Sequence, residues 1–439
     1  IIGDTAKDTF ILNDNAFYGC TNLKNISYKG TLELGSKTFG GCKALTEIFS
    51  EDVELKGTEA FSGCTALKKV VLSETSNIPE KSFDGCSSLE KVKIKNIKTL
   101  EIEGYAFRGT ESLKELGLLS EKIYFDTNSF VGASNELTVY CNSDAIKSAR
   151  PNVSICTDFQ TIIWNNKIIL DKYLGNSENV VIPECLEIYE IGGGAFYLNQ
   201  LMRTIEIPSN TQEIGFMAFA VCRNLSQIYN GKNVKIINAL AFSSCTNLRG
   251  ISSLCSIQKI CSYAFSSIGI KNYIMPNSIF ECHDSVFNNC TDLTEIIISS
   301  NIKYINRNTF NGCIRLDRCI LNSNIKTIYM NAFKGCTSLE QIYIPDSIER
   351  IDITSFESET ALYSSNNAPI ALGTIIYTEN DIAKNNLNIG NAIYPNYKII
   401  NGVLKEYQSE TGYDYIDDAG KKVIDVPNVV EEIRSSEAY

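Results

Sequence analysis

The chain has 439 residues and a formal net charge of −11, with 44% hydrophobic and 21% charged residues. That balance argues against a nucleic-acid partner, which requires clustered Lys and Arg, and no uninterrupted apolar stretch approaches the roughly 20 residues of a membrane-spanning helix. Length alone would suggest two or three domains.

The chain opens at Ile1-Ile2-Gly3 with no initiator Met and no leader, and its end, Ser436-Glu437-Ala438-Tyr439, matches the Ala-Phe step of one more repeat. A fragment of a longer protein is therefore expected. The first organising stretch is Asn15-Ala16-Phe17-Tyr18-Gly19-Cys20-Thr21-Asn22-Leu23-Lys24-Asn25-Ile26. Equivalents of Phe17 follow at Phe39, Phe61, Phe83, Phe107 and Phe130, and after a gap at Phe196, Phe219, Phe242, Phe265, Phe287, Phe310, Phe333 and Phe356, 22 to 24 residues apart within each run. A fixed period of this size marks a solenoid within the leucine-rich-repeat range. Such a chain stacks its units and buries a continuous core, so counting domains by length fails.

In each unit Ala16, Phe17, Cys20 and Leu23 follow helical spacing, and Leu23-x-x-Ile26-x-Tyr28 switches to strand alternation. The expected unit is a short helix or single turn, then a short strand. The strands should pair in parallel about 4.8 Å apart as the inner sheet of a curved solenoid. An apolar residue five before the Phe, such as Leu12, Leu34, Ile78 or Ile214, supplies a further inward contact. The period breaks at Val139–Lys147, and Trp164–Tyr173 reads as a hairpin with an Asn165-Asn166 turn leading through Val180–Pro183 into the second run. Ile375–Ala383 and Tyr397–Tyr407 echo these two stretches. The expected organisation is a first array with its terminating segment over 1–156, a second array with starting hairpin and terminating segment over 157–393, and the start of a third array or a C-terminal cap over 394–439. Interruptions of this kind suit the caps an open stack needs.

With Asn15–Leu23, Asn331-Ala332-Phe333-Lys334-Gly335-Cys336-Thr337-Ser338-Leu339, Ile342-Tyr343-Ile344-Pro345-Asp346-Ser347-Ile348 and Met275-Pro276-Asn277-Ser278-Ile279 in view, the chain resembles the BspA-like leucine-rich-repeat surface proteins over about residues 10–360. The resemblance implies an exported surface or secreted molecule that adheres to host components or other cells. Thr110, Asn199 and Ile268 depart from the pattern at the cysteine position.

Chemistry is sparse. Nine of the 16 cysteines occupy one repeat position, Cys20, Cys42, Cys64, Cys86, Cys222, Cys245, Cys290, Cys313 and Cys336, where a ladder of buried free thiols is expected. Cys141 and Cys156, in the interruption, offer a possible cap disulfide. The single histidine, in Glu281-Cys282-His283-Asp284, lacks a second ligand pair and a separate base, so a structural turn is the favoured reading. Gly192-Gly193-Gly194 lacks the Lys-Ser/Thr of a phosphate loop. No cofactor, metal or catalytic residue is assigned, and an enzyme is not expected.

If Ile26 and its counterparts point inward, the next position is exposed: Ser27, Phe49, Val71, Lys93 and Gly117, then Glu206, Tyr229, Ser252, Met275, Ile297, Ile320 and Tyr343. The apolar part, Tyr229, Met275, Ile297, Ile320 and Tyr343, is the candidate partner-binding stripe, and Lys69, Lys91 and Lys93 form a basic patch that could receive an acidic polymer or sulfated glycan, with a solvated lysine face as the favoured reading. The expected function is an extracellular adhesion or protein-interaction module that binds a protein or glycan on a host or neighbouring cell through the concave sheet. The alternatives are a non-binding structural spacer and a glycan-processing module that uses the inter-array segments.

Overall fold

The computed structural model describes residues 9–356 apart from 73–74, 95–97, 143, 149–152, 346 and 353, together with the short strands Ala361–Ser364, Pro369–Ile370, Asn391–Tyr394, Tyr397–Ile400 and Val403–Tyr407. The expected terminator at Ile375–Ala383 lies outside the described residues. By compactness the chain forms two units: Ile1–Asn176 with Ile182–Glu190, and Ser177–Val181 with Ile191–Tyr439.

The Ala-Phe-x-x-Cys segment is a run of turns; among the described residues the helical elements are two three-residue 3-10 turns, Glu184–Leu186 and Gly231–Asn233. The turns hold because backbone groups alternate in their partners. Tyr18 N–H reaches Asn15 C=O (3.0 Å) and Cys20 N–H reaches Phe17 C=O (3.1 Å) within the unit, whereas Asn15, Phe17 and Gly19 N–H donate to Ser36, Thr38 and Gly40 one unit on (2.9, 2.8 and 2.8 Å). A regular helix would spend all of these donors internally and leave the stack without a ladder.

This geometry places two positions per unit in the left-handed region. The position two before the Phe is non-glycine in Asn15, Lys37 and Glu59, and the position two after it is glycine in Gly19, Gly41, Gly63, Gly85 and Gly109 of the first unit. In the second unit the latter position is held by Leu198, Val221, Ser244, Ser267 and Asn289 at φ of 56 to 63°. A β-branched residue is costly there.

Strands follow each turn in two rows, where the sequence pattern suggested one. Asn25–Ser27, Glu47–Phe49, Lys69–Leu72 and Lys91–Ile94 form the row after the Leu, with Ile26 opposite Ile48 and Val70 opposite Val92, all parallel. The second row, for example Thr9–Leu12, Thr31–Leu34 and Asp52–Leu55, carries an apolar residue five before the Phe at Leu12 and Leu34 and six before it at Leu55. In the second unit, Thr204–Glu206 pairs with Gln227–Tyr229, and Glu295–Ile297 pairs with Asn272–Ile274 on one side and Arg318–Ile320 on the other.

The core is a column of like residues. Phe61, Cys64, Leu67, Val70 and Ile78 of one unit are all buried. Rings stack at centroid separations of 5.2 to 5.6 Å from Phe17 to Phe130 and of 4.9 to 5.8 Å from Phe196 to Phe356. Those separations lie within the range of offset stacking.

Cys20, in the first unit, is exposed, and the other eight ladder cysteines have a second role. The thiol of Cys64 donates to the Phe39 carbonyl of the preceding unit (3.0 Å), and Cys42, Cys86, Cys222, Cys245, Cys290, Cys313 and Cys336 do the same toward their preceding Phe at 3.0 to 3.2 Å. All sixteen cysteines are free. Burial pushes the Cys64 thiol up to about 12 and those of Cys86 and Cys313 well above the ordinary value. Departures from cysteine find other partners: Thr110 Oγ1 donates to Phe107 C=O (2.9 Å), Asn199 Oδ1 accepts from the N–H of Leu201 and Met202 (both 2.9 Å), and Ile268 is simply buried.

The interruption after Phe130 keeps the strand pairing. Thr138–Cys141 lies between Glu115–Leu118 and Ser154–Cys156, and Cys156 stands opposite Tyr140, one residue out of step with Cys141. Alternation sends the two side chains to opposite faces, so the cap disulfide does not form. Phe159–Trp164 and Lys167–Tyr173 make the expected hairpin, with Asn165 and Asn166 at φ 48° and 59°, the pair of positive values that a type I′ turn requires. Asn142 clamps its edge: its side-chain amide accepts from Thr161 N–H (2.7 Å) and donates to Thr161 C=O (2.9 Å). Tyr397–Ile400 and Val403–Tyr407 pair antiparallel with a register shift after the second residue, as Phe159–Trp164 and Lys167–Tyr173 do.

Two outcomes test this fold. Gly63→Ala should destabilise by about 1 kcal/mol and Val221→Gly should stabilise by about the same amount, both measured by chemical denaturation. A Cβ on Gly63 meets only ordinary contacts at 3.7 Å, so backbone conformation alone is probed. In the native protein a thiol reagent should modify exposed Cys20 and Cys255 rapidly and the buried ladder thiols only on unfolding, read by mass spectrometry.

Candidate interaction surface

The strand row after the Leu is the face the sequence pattern singled out, and the two units treat it differently. In the first unit Phe49 stands out from it, about half exposed, with Ser27 beside it. Further along, the face is covered by a strap of the same unit, the segment around the 3-10 turn Glu184–Leu186.

The strap is seated by shape and by charge. A Cβ on Gly117 would stand 2.5 Å from the Cys185 carbonyl oxygen, so the contact depends on glycine. Leu186 and Ile188 of the strap are buried. Glu187, in the left-handed conformation that ends the turn, ion-pairs with Lys93 and lies 3.8 Å from Lys91. Glu115 receives the Cys185 backbone N–H, yet burial, helped by the nearby charge of Glu184, pushes its carboxyl above the usual range. The lysine cluster expected from the sequence is therefore not a free cationic patch. Lys69 is exposed, but Lys91 and Lys93 are taken up by Glu187 within the unit, and Gly117 lies beneath the strap.

In the second unit the same row is open. Tyr229 is exposed beside Glu206, whose carboxylate accepts from the Asn230 side-chain amide (2.5 Å). Next along the stack come Ile274, Ile297 and Ile320, which face one another in direct register on three parallel strands. A polar rail runs beside them: Arg318 Nη1 meets Glu295 Oε1 at 2.9 Å, and Thr294 Oγ1 donates to Asn272 Oδ1 at 2.7 Å.

One position of the predicted stripe is displaced. Met275 is buried, 4% exposed, and Ile274 takes the outward place at 71%. The unit is one residue short between its turn and its strand: Ile268 fills the cysteine position, but the buried equivalent of the Leu is Ile270, two residues on instead of three. Every later residue is thus one place ahead of a count made from Phe265, and in a strand one place reverses the face. Tyr343 lies in the strand Gln341–Ile344, but its side chain is outside the described residues.

A model of the BspA type leucine rich repeat region matches residues 10–168, 172–294 and 281–403, in six copies. The chain belongs to the BspA type leucine-rich-repeat family. Among solved structures, this BspA type chain is similar to a T. pallidum leucine rich repeat protein (28% identity over 42% of this chain and 89% of that one, TM-score 0.40). It is also similar to a Bacteroides ovatus leucine-rich repeat protein (24%, 70% and 74%, TM-score 0.38) and to a leucine rich cell surface protein of Faecalibacterium prausnitzii (21%, 72% and 78%, TM-score 0.28). A search of the curated proteins finds no match. No helix among the described residues is long and apolar enough to cross a membrane, and no group of three or more metal-ligating side chains occurs among them.

The strap makes its own prediction. Gly117→Val should drive it off the sheet and raise amide hydrogen exchange over residues 183–189, while the Phe61–Phe107 turns keep their protection. Glu187→Gln should give a smaller increase in the same peptide.

Proposed function

We propose that this BspA type chain is an extracellular or cell-surface protein-interaction module that binds its partner through the open sheet face of the second unit and catalyses no reaction. The observation that carries the reading is the contiguous row Ile274–Ile297–Ile320, with Tyr229 further along the same face. Three large side chains in register, Ile274 and Ile320 exposed with half-buried Ile297 between them and a charged rail alongside, have the apolar centre and polar rim of a recognition surface. Adhesion to a protein on a host or neighbouring cell is the use this face suits best.

The first unit fits the spacer alternative better, since its strap covers the corresponding strands and consumes their lysines. On this reading the first unit supports and the second binds.

The double variant Ile274→Ser with Ile320→Ser should cut capture of surface or matrix proteins by about tenfold or more, an expectation in line with loss of a central interface cluster. Both residues are exposed, so the melting temperature should stay within about 1–2 °C. Undiminished capture by the folded double variant would show that the stripe is not the binding face.

A further inference from the structure

The second strand row of the second unit is not continuous. It runs through Lys259–Ile260 to Glu281–Cys282 and resumes at Tyr304–Ile305, which pairs onward with Thr327–Ile328 and Arg350–Ile351 but belongs to a separate sheet. Elsewhere in this row a backbone N–H just past the strand donates to the preceding unit: Cys261 to Ile237 (2.9 Å), His283 to Ile260 (2.9 Å), and Tyr329 to Ile305 (2.8 Å). At the gap, the Cys282 carbonyl is instead taken by the side-chain amide of Asn306.

The opening is a groove of about 390 Å³, inside the roughly 300–1,000 Å³ range of small-ligand sites. Phe280 and Tyr304 line it and are 60% and 46% exposed. Tyr304 is braced by Tyr329 at a centroid distance of 6.2 Å. Glu281, His283, Asp284, Lys303, Asn306 and Ser262 line the same groove.

Their arrangement selects the chemistry. Glu281 Oε1 is held by Lys259 (2.7 Å) and by His283 Nε2 (2.6 Å), and these two partners keep its carboxyl below the usual range. Asp284 Oδ1 accepts from the Arg307 backbone N–H (3.2 Å). Lys259, from outside the lining, pairs with Glu281, and Lys303 lines the groove with Asp284, so the two carboxylates are matched in number by two ammonium groups. The groove offers two exposed aromatic surfaces and a mixed set of donors and acceptors from carboxylate, imidazole, ammonium, amide and hydroxyl groups. A pyranose has the matching surface: an apolar C–H face to lie on an aromatic ring and a rim of hydroxyls that both donate and accept. A purely apolar ligand would leave the polar groups unpaired, and a polyanion would meet as many acids as bases.

We infer that the cleft between Glu281–Cys282 and Tyr304–Ile305 is a binding site for a neutral glycan, with Phe280 and Tyr304 as stacking platforms. This site is separate from the isoleucine stripe and does not rest on it.

The test is a glycan array probed with the full chain, followed by titration calorimetry of the strongest neutral sugar against the wild type, Phe280→Ala and Tyr304→Ala. Both side chains are exposed, so the variants should melt with the wild type. Each is expected to weaken binding about tenfold, the equivalent of 1.4 kcal/mol per aromatic contact. The stripe variant Ile274→Ser with Ile320→Ser should bind the sugar as the wild type does, so a failed stripe and a failed cleft give different results. Three outcomes would overturn the inference: no neutral glycan bound above background, binders confined to sulfated or sialylated sugars, or alanine variants that titrate like the wild type.

Discussion

Every feature of this protein depends on one constraint: each residue of a unit must meet its counterpart one unit on. The carbonyl of Phe39 shows how closely this is enforced. Within its unit Phe39 C=O accepts the Cys42 N–H (3.0 Å), and it also accepts the Cys64 thiol from the following unit (3.0 Å). A carbonyl has two lone pairs, and here both are used inside an apolar core where an unmet acceptor is costly. Cysteine suits the position because it combines small volume, low polarity and a weak donor. Alanine would leave a small void and the carbonyl half satisfied.

Much of the architecture was legible in the sequence for the same reason. Phe, Cys, Leu and Ile recur because stacking forces like onto like, so the period, the buried ladder, the free thiols and the Asn165-Asn166 hairpin could be read directly. The second strand row was missed because pieces such as Asn77–Ile78 and Glu213–Ile214 are two residues long and display no alternation. Met275 was misplaced because counting from Phe265 cannot see a residue lost between Ile268 and Ile270. The strap was invisible for a different reason. Glu187 meets Lys91 and Lys93 across more than ninety positions of sequence, and nothing periodic announces a contact made once. The cleft likewise arises from a break in pairing, and its aromatic residues occupy surface positions that the repeat leaves free.

The two units also settle the same backbone problem differently. Glycine fills the left-handed position two after the Phe throughout Gly19–Gly109, whereas Leu198, Val221, Ser244, Ser267 and Asn289 hold it in the second unit before glycine returns at Gly312 and Gly335. Neighbouring turns fix that conformation through the ladder, so a residue with little intrinsic preference for it is still accommodated. The less regular stretch between Phe196 and Phe287 leads into the open stripe and the split second row.

The short turn at Ile268–Ile270 has a meaning beyond its own unit. In a stack of this kind the buried column is indifferent to what precedes a strand, provided some apolar residue arrives at each inward place. Losing one residue from a turn keeps the core filled, with Tyr273 where the motif has Ile and Met275 tucked beneath, while exchanging the whole set of side chains shown to solvent on that strand. Turn length therefore acts as a selector of surface identity, and it can change in a single step without renegotiating the interior. A family that must alter what it recognises while keeping one scaffold has in that selector a route to new faces that point substitutions alone would reach only slowly.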